Sequence, residues 1–576
     1  MSAVASSSIV RLPVWRARTV MAALLAAFAV LAGRSVYLQA LHTDFLQGKG
    51  EARYSRVLEV PGTRGRILDR NGEALAISTP VQSVWAIPGD VDAKPAQLRK
   101  LGALLGVEPR ELRKKLGDTS RDFVYLKRQI APEQAEQVAR LGLAGIYQHR
   151  EFRRYYPGGE LTAHLVGFTG VDEAGQEGIE LAHQATLGGV PGSRRVIKDR
   201  LGHVVEDIES IRAAQDGQDL QLAIDGKIQS LAYGALKAAL VEHRAKAGAA
   251  VVIDVRSGEV LALVNLPTFN PNNRARLSGE QLRNRALTDS FEPGSTLKPF
   301  TVALALEEGK VTPRTVVNVG RDALRIASYT IHDPHPEAGG ISVAQVIQKS
   351  SNVGAAKIAL ALPREDMWDM FNRSGFGAAP QLGFPGEASG KLRPAHSWRP
   401  VEQATMAYGH GISVSLLQLA RAYTMFARDG EIVPLTLLKA DSPAAGTRVI
   451  SAQTAREVRA MLELAVQPGG TAPRARIMGW RVAGKTGTAH KQENGGYAPD
   501  KYISSFVGLA PASAPRLVIA VMIDEPSDGK YYGGVVAAPV FAQVAQGALR
   551  LLNVPHDAPL VPVPLPGEGE EAREST

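Results

Sequence analysis

The segment AGAAVVIDVRSGEVLALVNLP, residues 247–267, consists of two apolar runs joined by an Arg-Ser-Gly turn. Short apolar runs bounded by turn residues indicate a hairpin whose strands are buried on both faces. From about residue 293 to 465, alanine and leucine recur at helical spacing. Three further strand patterns and a final helical pattern follow, at 479–490, 503–511, 516–524 and 538–552. This order predicts an α+β domain at 219–555, in which helices flank an antiparallel sheet.

The chain before and after this domain has a different composition. Residues 42–218 combine short strand patterns with turns rich in glycine and arginine, including an Asn-Gly turn within 61–76. No catalytic grouping is visible in this range, and we predict a support or docking module of mixed structure. Residues 556–576 are rich in proline and then in acidic side chains, which predicts a disordered tail.

The N-terminus has a positively charged flank followed by a long apolar stretch. Residues 1–18 contain three arginines, and the apolar pattern after them continues to Leu41. A helix over residues 19–41 would be about 34 Å long, which is enough to span a bilayer. Because positive flanks stay in the cytoplasm, we expect a cytoplasmic tail, one transmembrane anchor and export of the rest. A cleaved signal peptide is the alternative.

The composition limits the classes of function. The chain has 576 residues, of which 45% are hydrophobic and 21% charged, a net charge of +9 and no cysteine. The absence of cysteine excludes disulfides and thiol catalysis. Lysine and arginine are spread along the chain without a dominant run, and the net charge fits a protein near anionic lipid or envelope polymer as well as a nucleic-acid-binding protein. No zinc-finger, RRM-like or basic-zipper pattern is present in the sequence. We therefore expect no nucleic-acid partner.

The candidate nucleophile lies in EPGSTLKPF, residues 292–300. A Pro-Gly pair marks the entry to a helix predicted to start near Ser295, which places Lys298 on the same face one turn later. A helix N-terminus favours negative charge on a serine oxygen, and a neighbouring amine can take the serine proton. The pattern alone is weak evidence, because Ser527 and Lys530 repeat it in a turn that opens no predicted helix.

Two further motifs strengthen the interpretation. KSSNVGAAKIALAL, residues 349–362, places Ser350 and Asn352 at the head of another predicted helix, and GKTGTA, residues 484–489, lies on a predicted strand. Separately, the first could be a helix cap and the second a lysine on an edge strand. Together with the first motif they give the order S-x-x-K, S-x-N, K-T-G, which is the signature of penicillin-binding proteins and serine β-lactamases.

With these motifs the chain resembles a class B penicillin-binding protein, a peptidoglycan D,D-transpeptidase, and most of all the septal, cell-division type of Gram-negative bacteria. The resemblance covers nearly the whole chain except the tail. It implies the penicillin-binding (serine transpeptidase) fold on a mixed, elongated N-terminal pedestal, a dimerisation-like module at residues 42–218. The segments that carry it are FEPGSTLKPF, QKSSNVGAAKIALAL, VAGKTGTAHK and GKYYGGVVAAPVFAQV, together with RGRILDRNG, RRYYPGGELTAHLVG and GQEGIE in the N-terminal module.

The resemblance implies a role for each motif. Ser295 would attack the penultimate D-Ala carbonyl of a stem peptide, Lys298 would act as the base and Ser350 would relay a proton to the leaving nitrogen. The backbone N–H groups of Ser295 and Thr488 would stabilise the oxyanion. To accept a proton, Lys298 must be partly neutral, which burial beside a second ammonium, Lys485, would favour.

Substrate binding would fall to the other motif residues. Asn352 would hold the substrate amide, and Lys485 with Thr486 and Thr488 would bind the terminal carboxylate. Gly487 would allow another backbone to approach the strand closely. Since strand alternation points Lys485 and Thr486 to opposite faces, both can serve one substrate only if the edge strand twists or bulges.

The expected partners and location follow from the same resemblance. We expect peptidoglycan stem peptides as substrates, β-lactam antibiotics as inhibitors, and a polytopic lipid-II glycan polymerase and division proteins as membrane partners. The chain would be a single-pass protein of the inner (cytoplasmic) membrane with a periplasmic catalytic domain. No metal and no other cofactor is expected.

Several alternatives remain. An elongation-type transpeptidase is the nearest, and a non-catalytic membrane scaffold or β-lactam sensor would keep the fold without the reaction. A serine β-lactamase is disfavoured because no E-x-x-L-N-like segment follows Asn352, and a bifunctional glycosyltransferase would need a further catalytic domain before residue 219. A metal site at IHDPHPE, residues 331–337, lacks a rigid element to fix its ligands.

Overall fold

The computed structural model describes residues 13–41, 55–198, 204–320, 323–333, 339–493 and 495–560. The chain divides into two compact units. The first comprises Met1–Gly62, Pro80–Glu151 and Gly189–Gln215, and the second comprises Thr63–Thr79, Phe152–Gly188 and Asp216–Thr576. The division does not coincide with the predicted boundary between residues 218 and 219, since the second unit includes three segments of the predicted pedestal: Thr63–Thr79, Phe152–Gly188 and residues 216–218.

The α-helices of the described residues are α1 Val14–Val36, α2 Pro95–Leu105, α3 Pro109–Leu116, α4 Pro132–Ala139, α5 Ala163–Val166, α6 Gly178–Ala182, α7 Gln184–Leu187, α8 Gly226–Glu242, α9 Gly279–Leu282, α10 Arg285–Thr288, α11 Lys298–Glu307, α12 Val343–Gln348, α13 Asn352–Leu360, α14 Arg364–Arg373, α15 Pro400–Met406, α16 Leu416–Ala427, α17 Ala452–Ala465, α18 Gly533–Val536 and α19 Ala538–Leu551.

The strands are β1 Ser55–Val60, β2 Ile67–Leu68, β3 Ala74–Ala86, β4 Val124–Ile130, β5 Ile146–Tyr155, β6 Gly192–Lys198, β7 Val204–Arg212, β8 Leu220–Gln221, β9 Ala247–Asp254, β10 Val260–Leu266, β11 Val316–Gly320, β12 Ala323–Ile326, β13 Tyr329–His332, β14 Gly339–Ser342, β15 Glu431–Ile432, β16 Thr447–Arg448, β17 Ala483–Glu493, β18 Gly496–Ala510 and β19 Leu517–Asp524.

The second unit is built on a five-stranded antiparallel sheet with the order β10-β9-β19-β18-β17. Every residue of β9 and β10 is buried, as the two apolar runs at 247–267 predict. Alternation along β9 sends Val251 into one hydrophobic core and Val252 into another, so helices cover both faces of the sheet. The predicted α+β fold with an antiparallel sheet flanked by helices is confirmed.

The stretch predicted as mostly helical, about 293 to 465, also contains strands. β11 pairs with β14, β12 with β13, and β15 with β16. These strands have two to five residues and form separate two-stranded pairs. Strands this short give too few repeats for a period of two to be distinguished in the sequence.

The first unit contains the N-terminal helix and its own small core. α1 begins at Val14, five residues before the predicted start, and its apolar stretch extends to Gln39. A second helical stretch long and apolar enough to cross a membrane, Gly533–Leu551, comprises α18 and α19; its mean hydropathy is lower, 1.2 against 1.8, and 56% of it is buried. Elsewhere in the first unit β1, β6 and β7 form an antiparallel sheet, and α2, α3 and α4 enclose a core with Val84 and Leu126.

The segment after α19 contacts the second unit. The carbonyl oxygen of Pro555 accepts a hydrogen bond from the Trp480 ring (3.0 Å), and Asp557 accepts one from the backbone of Arg481 (2.7 Å). The prediction of disorder is therefore wrong for this first part of the tail, because these hydrogen bonds fix it. Residues 561–576 lie outside the described residues.

Candidate active site

Ser295 lies in a 3₁₀ turn that leads directly into α11. The turn is Gly294–Leu297 and α11 begins at Lys298, so the helix predicted to start near Ser295 begins with a tighter turn. Pro299 is accommodated in the first turn of α11, where backbone amides have no partner within the helix. The Nζ atom of Lys298 lies 2.9 Å from the Oγ atom of Ser295. The side chain of Lys298 therefore reaches the hydroxyl one turn before it.

Ser350 joins this pair from a segment 52 residues farther along the chain. Lys298 Nζ donates to the backbone carbonyl of Ser350 and lies 3.0 Å from its Oγ atom. The backbone of Ser350 has a φ of 62°, a left-handed conformation that is uncommon for a residue with a side chain. Ser351 then caps α13 by accepting a hydrogen bond from Gly354 N. The strained residue thus stands between two anchored segments.

The edge strand β17 completes the group. Lys485 Nζ lies 2.9 Å from Ser350 Oγ, so Ser295, Lys298, Ser350 and Lys485 form one continuous hydrogen-bonded chain. Ser295 is 3% exposed, and both lysines are completely buried. Burial in a medium of low polarity penalises the charged form of each amine. The structure therefore brings these four side chains, which come from three separate motifs, into one hydrogen-bonded group.

The side chains of Lys485 and Thr486 contact each other although the pairing of β17 is regular at these two residues. The pairing of β17 with β18 is regular from Ala483 to His490, and the register shifts only beyond His490. Of the two conditions that alternation set, a twist or a bulge, the bulge is therefore absent at the Lys-Thr pair. The long Lys485 side chain turns so that Nζ contacts Thr486 Oγ1 at 3.1 Å, and Thr486 Oγ1 also lies 2.8 Å from Thr471 Oγ1. A flexible side chain makes the adjustment that the backbone does not.

Gly487 allows β17 to lie against the nucleophile segment. A Cβ atom at this position would be 2.8 Å from the carbonyl oxygen of Pro293 and 2.5 Å from Ser505 Oγ, closer than real Cβ contacts. The next residue, Thr488, accepts a hydrogen bond from Gly533 N at its hydroxyl oxygen (3.1 Å). The strand residues predicted to bind substrate therefore adjoin the segment that carries Ser295.

Asn352 presents an acceptor suited to a ligand. Its Nδ2 atom donates to the carbonyl oxygen of His332 (3.3 Å), which fixes the orientation of the amide. Its Oδ1 atom is buried and has no hydrogen-bond partner among the described residues. Because buried polar atoms are nearly always paired, this atom matches an incoming amide N–H.

Asp333 binds the segment that carries Ser350, a contact that the sequence did not reveal. Its carboxylate accepts hydrogen bonds from Ser351 Oγ (2.6 Å), Asn352 N (2.5 Å) and Val353 N (3.0 Å). Within the loop considered for a metal site, Asp333 thus caps α13, and His335 lies outside the described residues. An N-terminal cap is normally sought beside its helix, so a cap 18 residues upstream gives no local signal.

Glu292 is a second buried carboxylate beside the nucleophile segment. It accepts hydrogen bonds from Gly411 N (2.9 Å), Gln492 Nε2 (2.8 Å) and the Tyr497 hydroxyl (3.0 Å). Burial raises the pKa of Glu292 above its ordinary value, although these hydrogen bonds oppose the shift. The partners come from the loop after α15 and from the distant ends of β17 and β18, which is why motif spacing did not single out this residue.

The positive charge of Lys298 affects the pKa of a nearby histidine, His410. The pKa of His410 is lowered to about 4, chiefly by burial, with the positive charge of Lys298 acting in the same direction. His410 packs between the rings of Tyr408 and Tyr497, at centroid distances of 5.2 and 6.0 Å. At neutral pH the ring is uncharged, so it adds no further positive charge to the cleft.

The second Ser-x-x-Lys pattern has a different environment. Ser527 Oγ donates to the carbonyl oxygen of Arg244 (2.8 Å), and Lys530 lies in the turn that follows. No helix begins there until Gly533. The pattern therefore lacks the helical geometry that places Lys298 beside Ser295.

Two family models match the chain. The penicillin binding protein transpeptidase domain matches residues 248–546, and the penicillin-binding protein dimerisation domain matches residues 59–222. The first range contains the three motifs. The second covers most of the segment that the sequence analysis described as a pedestal.

Curated relatives are similar over almost their whole length. The probable peptidoglycan D,D-transpeptidase PenA of Neisseria gonorrhoeae is 43% identical over 545 residues, which is 94% of this chain and 93% of the relative. The peptidoglycan D,D-transpeptidase FtsI of Escherichia coli K12 is 42% identical over 550 residues, with the same coverage of 94% and 93%.

Solved structures agree with this grouping. The apo transpeptidase domain of Burkholderia pseudomallei penicillin-binding protein 3 is 52% identical, with a TM-score of 0.55, and covers 59% of this chain and 98% of its own. Penicillin binding protein 3 of Mycobacterium tuberculosis, in complex with aztreonam, is 29% identical, with a TM-score of 0.69 and coverage of 88% and 100%.

Proposed function

The chain belongs to the penicillin-binding protein family of transpeptidases, and we propose that it is a peptidoglycan D,D-transpeptidase that cross-links stem peptides through an acyl-Ser295 intermediate. The observation that carries this proposal is the chain of hydrogen bonds from Ser295 through Lys298 and Ser350 to Lys485. It links a hydroxyl to two buried amines, which is the arrangement that a serine nucleophile needs for activation.

Acylation would begin with proton transfer from the Ser295 hydroxyl to Lys298. The serine oxygen attacks the carbonyl carbon of the penultimate D-Ala, and Lys298, 2.9 Å from that oxygen, accepts the proton. Collapse of the tetrahedral intermediate breaks the peptide bond and releases the terminal D-Ala. The leaving nitrogen receives its proton through Ser350, which contacts both amines.

Transfer to the acceptor would reverse the proton path. The acceptor amine attacks the ester carbonyl of acyl-Ser295, loses a proton to Ser350 and Lys298, and the serine oxygen leaves with a proton from Lys298. A new peptide bond replaces the one that was broken. Because the acyl-enzyme conserves the energy of that bond, the reaction needs no ATP.

Substrate would be held by the motif residues on either side of Ser295. The buried Oδ1 atom of Asn352 would accept the substrate amide N–H. Lys485, Thr486 and Thr488 on β17 would bind the terminal carboxylate, and Gly487 would keep the strand close to the nucleophile. A buried cation and hydroxyl donors favour a carboxylate through charge-assisted hydrogen bonds.

The location follows from the N-terminal helix. The apolar stretch Val14–Gln39 has 26 residues, or about 39 Å of helix, and it is long enough to span a bilayer. The arginines at its start favour a cytoplasmic N-terminus. We infer a single-pass protein of the inner membrane with a periplasmic catalytic domain, where cross-linking without ATP is required.

We infer a role in septal wall synthesis during division, which the similarity to the FtsI-named relatives supports over an elongation role. Stem peptides are the substrates and β-lactams the inhibitors of this family. The anchor and the N-terminal module would contact a polytopic lipid-II glycan polymerase and division proteins. Deletion of residues 42–218 should abolish septal localisation and polymerase activation, and retention of both would refute these contacts.

The site assignment is tested by covalent labelling. Full-length protein is treated with a fluorescent penicillin, and the adduct is located by peptide mass spectrometry in the wild type, in Ser295→Ala and in Ser389→Ala, which changes an exposed serine remote from the motifs in the sequence. We expect one adduct on Ser295 in the wild type and in Ser389→Ala, and none in Ser295→Ala. An adduct on another residue would overturn the assignment.

A further inference from the structure

The segment Ser527–Gly533, which carries the second Ser-x-x-Lys pattern, is fastened at one end to the C-terminus of α8. Ser527 N donates to the carbonyl oxygen of His243 (2.9 Å), and Ser527 Oγ donates to that of Arg244 (2.8 Å). His243 Nδ1 lies 2.9 Å from Asp528 Oδ2, with the two side chains 6% and 18% exposed. Three hydrogen bonds thus hold this end of the segment.

The other end of the segment lies against the substrate-binding strand. The carbonyl oxygen of Tyr531 accepts a hydrogen bond from Ser504 Oγ, and the Tyr531 ring stacks on Tyr502 at 4.0 Å. Gly533 N donates to the hydroxyl oxygen of Thr488 (3.1 Å). A Cβ atom at Gly533 would lie 2.6 Å from the carbonyl oxygen of Gly487, so the segment touches β17 itself.

This contact determines how Thr488 can act on substrate. A threonine hydroxyl has one proton to donate and two lone pairs that accept. With Gly533 N–H on the oxygen, the Thr488 proton points away from Gly533. The position of the segment therefore orients the hydroxyl that is proposed to donate to the substrate carboxylate.

We propose that His243 is a positioning residue for the acylation reaction, because its pairing with Asp528 holds Ser527–Gly533 against Thr488 and makes this hold dependent on the proton of the imidazole ring. The inference rests on the proposed function of β17. His243 touches no reacting atom, so its effect passes through Asp528 and the segment.

The electrostatics give the direction of the dependence. The pKa of Asp528 lies below its ordinary value. Burial is the largest single influence and raises this pKa, but the hydrogen bonds from His243 and Lys530 N together lower it by more. Asp528 is therefore an anion at neutral pH, and protonation of His243 turns the hydrogen bond into an ion pair. The C-terminus of α8 also favours a cationic ring. The hold on the segment is stronger when His243 is protonated.

Other charged groups surround the pair from each packed element. Arg244 and Lys246 follow His243 on the chain, and Lys530 lies in the segment itself. On the sheet side, Lys491 Nζ contacts both Asp524 (2.7 Å) and Glu525 (2.6 Å). Because rates of different variants are compared at the same pH, these groups affect the compared rates alike.

The experiment compares acylation rates across pH in the full-length protein. Second-order rate constants for a fluorescent penicillin are measured from about pH 5 to about pH 8 for the wild type, His243→Gln and Asp528→Asn. His149→Gln is the matched control, since His149 pairs with Glu151 at the same distance, 2.9 Å, in the first unit. Melting temperatures are recorded for every variant at each pH.

We expect the wild-type rate to exceed that of His243→Gln most at low pH, with the ratio falling roughly threefold to tenfold as pH rises. Asp528→Asn should remove the same dependence, and the double variant should add nothing further, because both changes act on one pair. His149→Gln should follow the wild type at every pH.

The proposal would be overturned if the ratio of the wild-type and His243→Gln acylation rates stayed constant with pH. Even if the melting temperature of His243→Gln fell, such a result would mean that the pair with Asp528 is only a structural contact. The proposed function fails in a different way, through absence of a wild-type adduct on Ser295. Labelling of wild-type Ser295 combined with identical pH profiles for wild type and His243→Gln would leave the transpeptidase site intact and reject the role of His243.

Discussion

At the scale of single residues, Ser350 shows how backbone strain can serve a proton relay. A left-handed conformation costs a residue with a side chain about 1–2 kcal/mol. Lys298 holds the Ser350 carbonyl, and Asp333 holds the next three residues through three hydrogen bonds. These hydrogen bonds keep Ser350 in its strained conformation, which places its hydroxyl between Lys298 and Lys485.

Two substitutions of Ser350 distinguish the role of its hydroxyl from the role of its backbone conformation. Both Ser350→Ala and Ser350→Gly remove the relay, so we expect the acylation rate to fall about 10²- to 10⁴-fold in each. Because glycine adopts positive φ without strain, Ser350→Gly should be about 1 kcal/mol more stable than Ser350→Ala. Stopped-flow acylation and denaturant unfolding measure the two effects. Near wild-type acylation by Ser350→Gly would show that only the backbone matters.

At the scale of elements, the site depends on how closely β17 approaches the segment before α11. Gly487 faces the carbonyl oxygen of Pro293, and Gly294 lies near the carbonyl oxygen of Thr488. Neither position leaves room for a side chain without moving backbone. The strand and the nucleophile turn are therefore packed backbone to backbone, which fixes Lys485 relative to Ser295.

Widening this contact should impair acylation without unfolding the domain. In Gly487→Ala the new Cβ must displace β17 from the nucleophile segment, and a displacement of about 1 Å can cost about 100-fold in rate. Gly496→Ala, in the hairpin between β17 and β18, is the control because nothing lies within 4 Å of its Cβ position. Acylation rates and melting temperatures of the two variants are compared. An unimpaired Gly487→Ala would show that the close approach is dispensable.

A buried ion group joins three of the segments that carry the family resemblance. Arg64 from RGRILDRNG and Arg154 from RRYYPGGELTAHLVG each contact Glu180 from GQEGIE at 2.6 Å. The arginine side chains are 2% exposed and Glu180 is completely buried. One carboxylate thus contacts two guanidinium groups within the second unit.

Removing that carboxylate should be strongly destabilising. Glu180→Gln removes the carboxylate that both buried guanidinium groups contact, and breaking such a group costs about 3–5 kcal/mol of unfolding free energy. Glu136→Gln is the control, because it breaks the exposed ion pair with Arg140, whose contact distance is 2.7 Å. This change should cost less than about 0.5 kcal/mol of unfolding free energy. Denaturant unfolding measures both. Equal small losses would mean that solvent reaches the Glu180 site.

At the scale of the whole molecule, buried neutral histidines connect stability to pH. Burial lowers the pKa of His164 to about 4, and the charge of Arg285 acts in the same direction while a hydrogen bond to Gln281 opposes it. The folded protein therefore binds fewer protons than the unfolded chain between the ordinary histidine value and pH 4. Stability is lost as pH falls through this range.

We expect His164→Asn to reduce this acid sensitivity. Between pH 7 and pH 5 the wild type should lose roughly 2 kcal/mol more unfolding free energy than His164→Asn. The exposed His396 provides a control, since His396→Asn should keep the wild-type dependence. Denaturant unfolding at the two pH values gives the difference. A wild-type dependence in His164→Asn would place the origin of acid sensitivity elsewhere.

Much of the fold was predictable because its signals are local. The apolar runs at 247–267 and the strand patterns after residue 479 each contain the information for one element, and their order constrains the sheet. The small strands between residues 316 and 342 were missed because each has only four or five residues. The contacts of Asp333 and Glu292 were missed because their partners are distant in the chain and in no motif.

The sequence by itself determined the types of the long elements, the apolar N-terminal helix and the three motifs, since each depends on residues within a few turns of one another. Only the tertiary structure decided that Lys298 and Lys485 meet at Ser350, across separations of 52 and 135 residues. It also decided that β17 stays regular while the Lys485 side chain bends. Packing of distant elements sets these positions, and no local preference specifies a contact between segments so far apart in the chain.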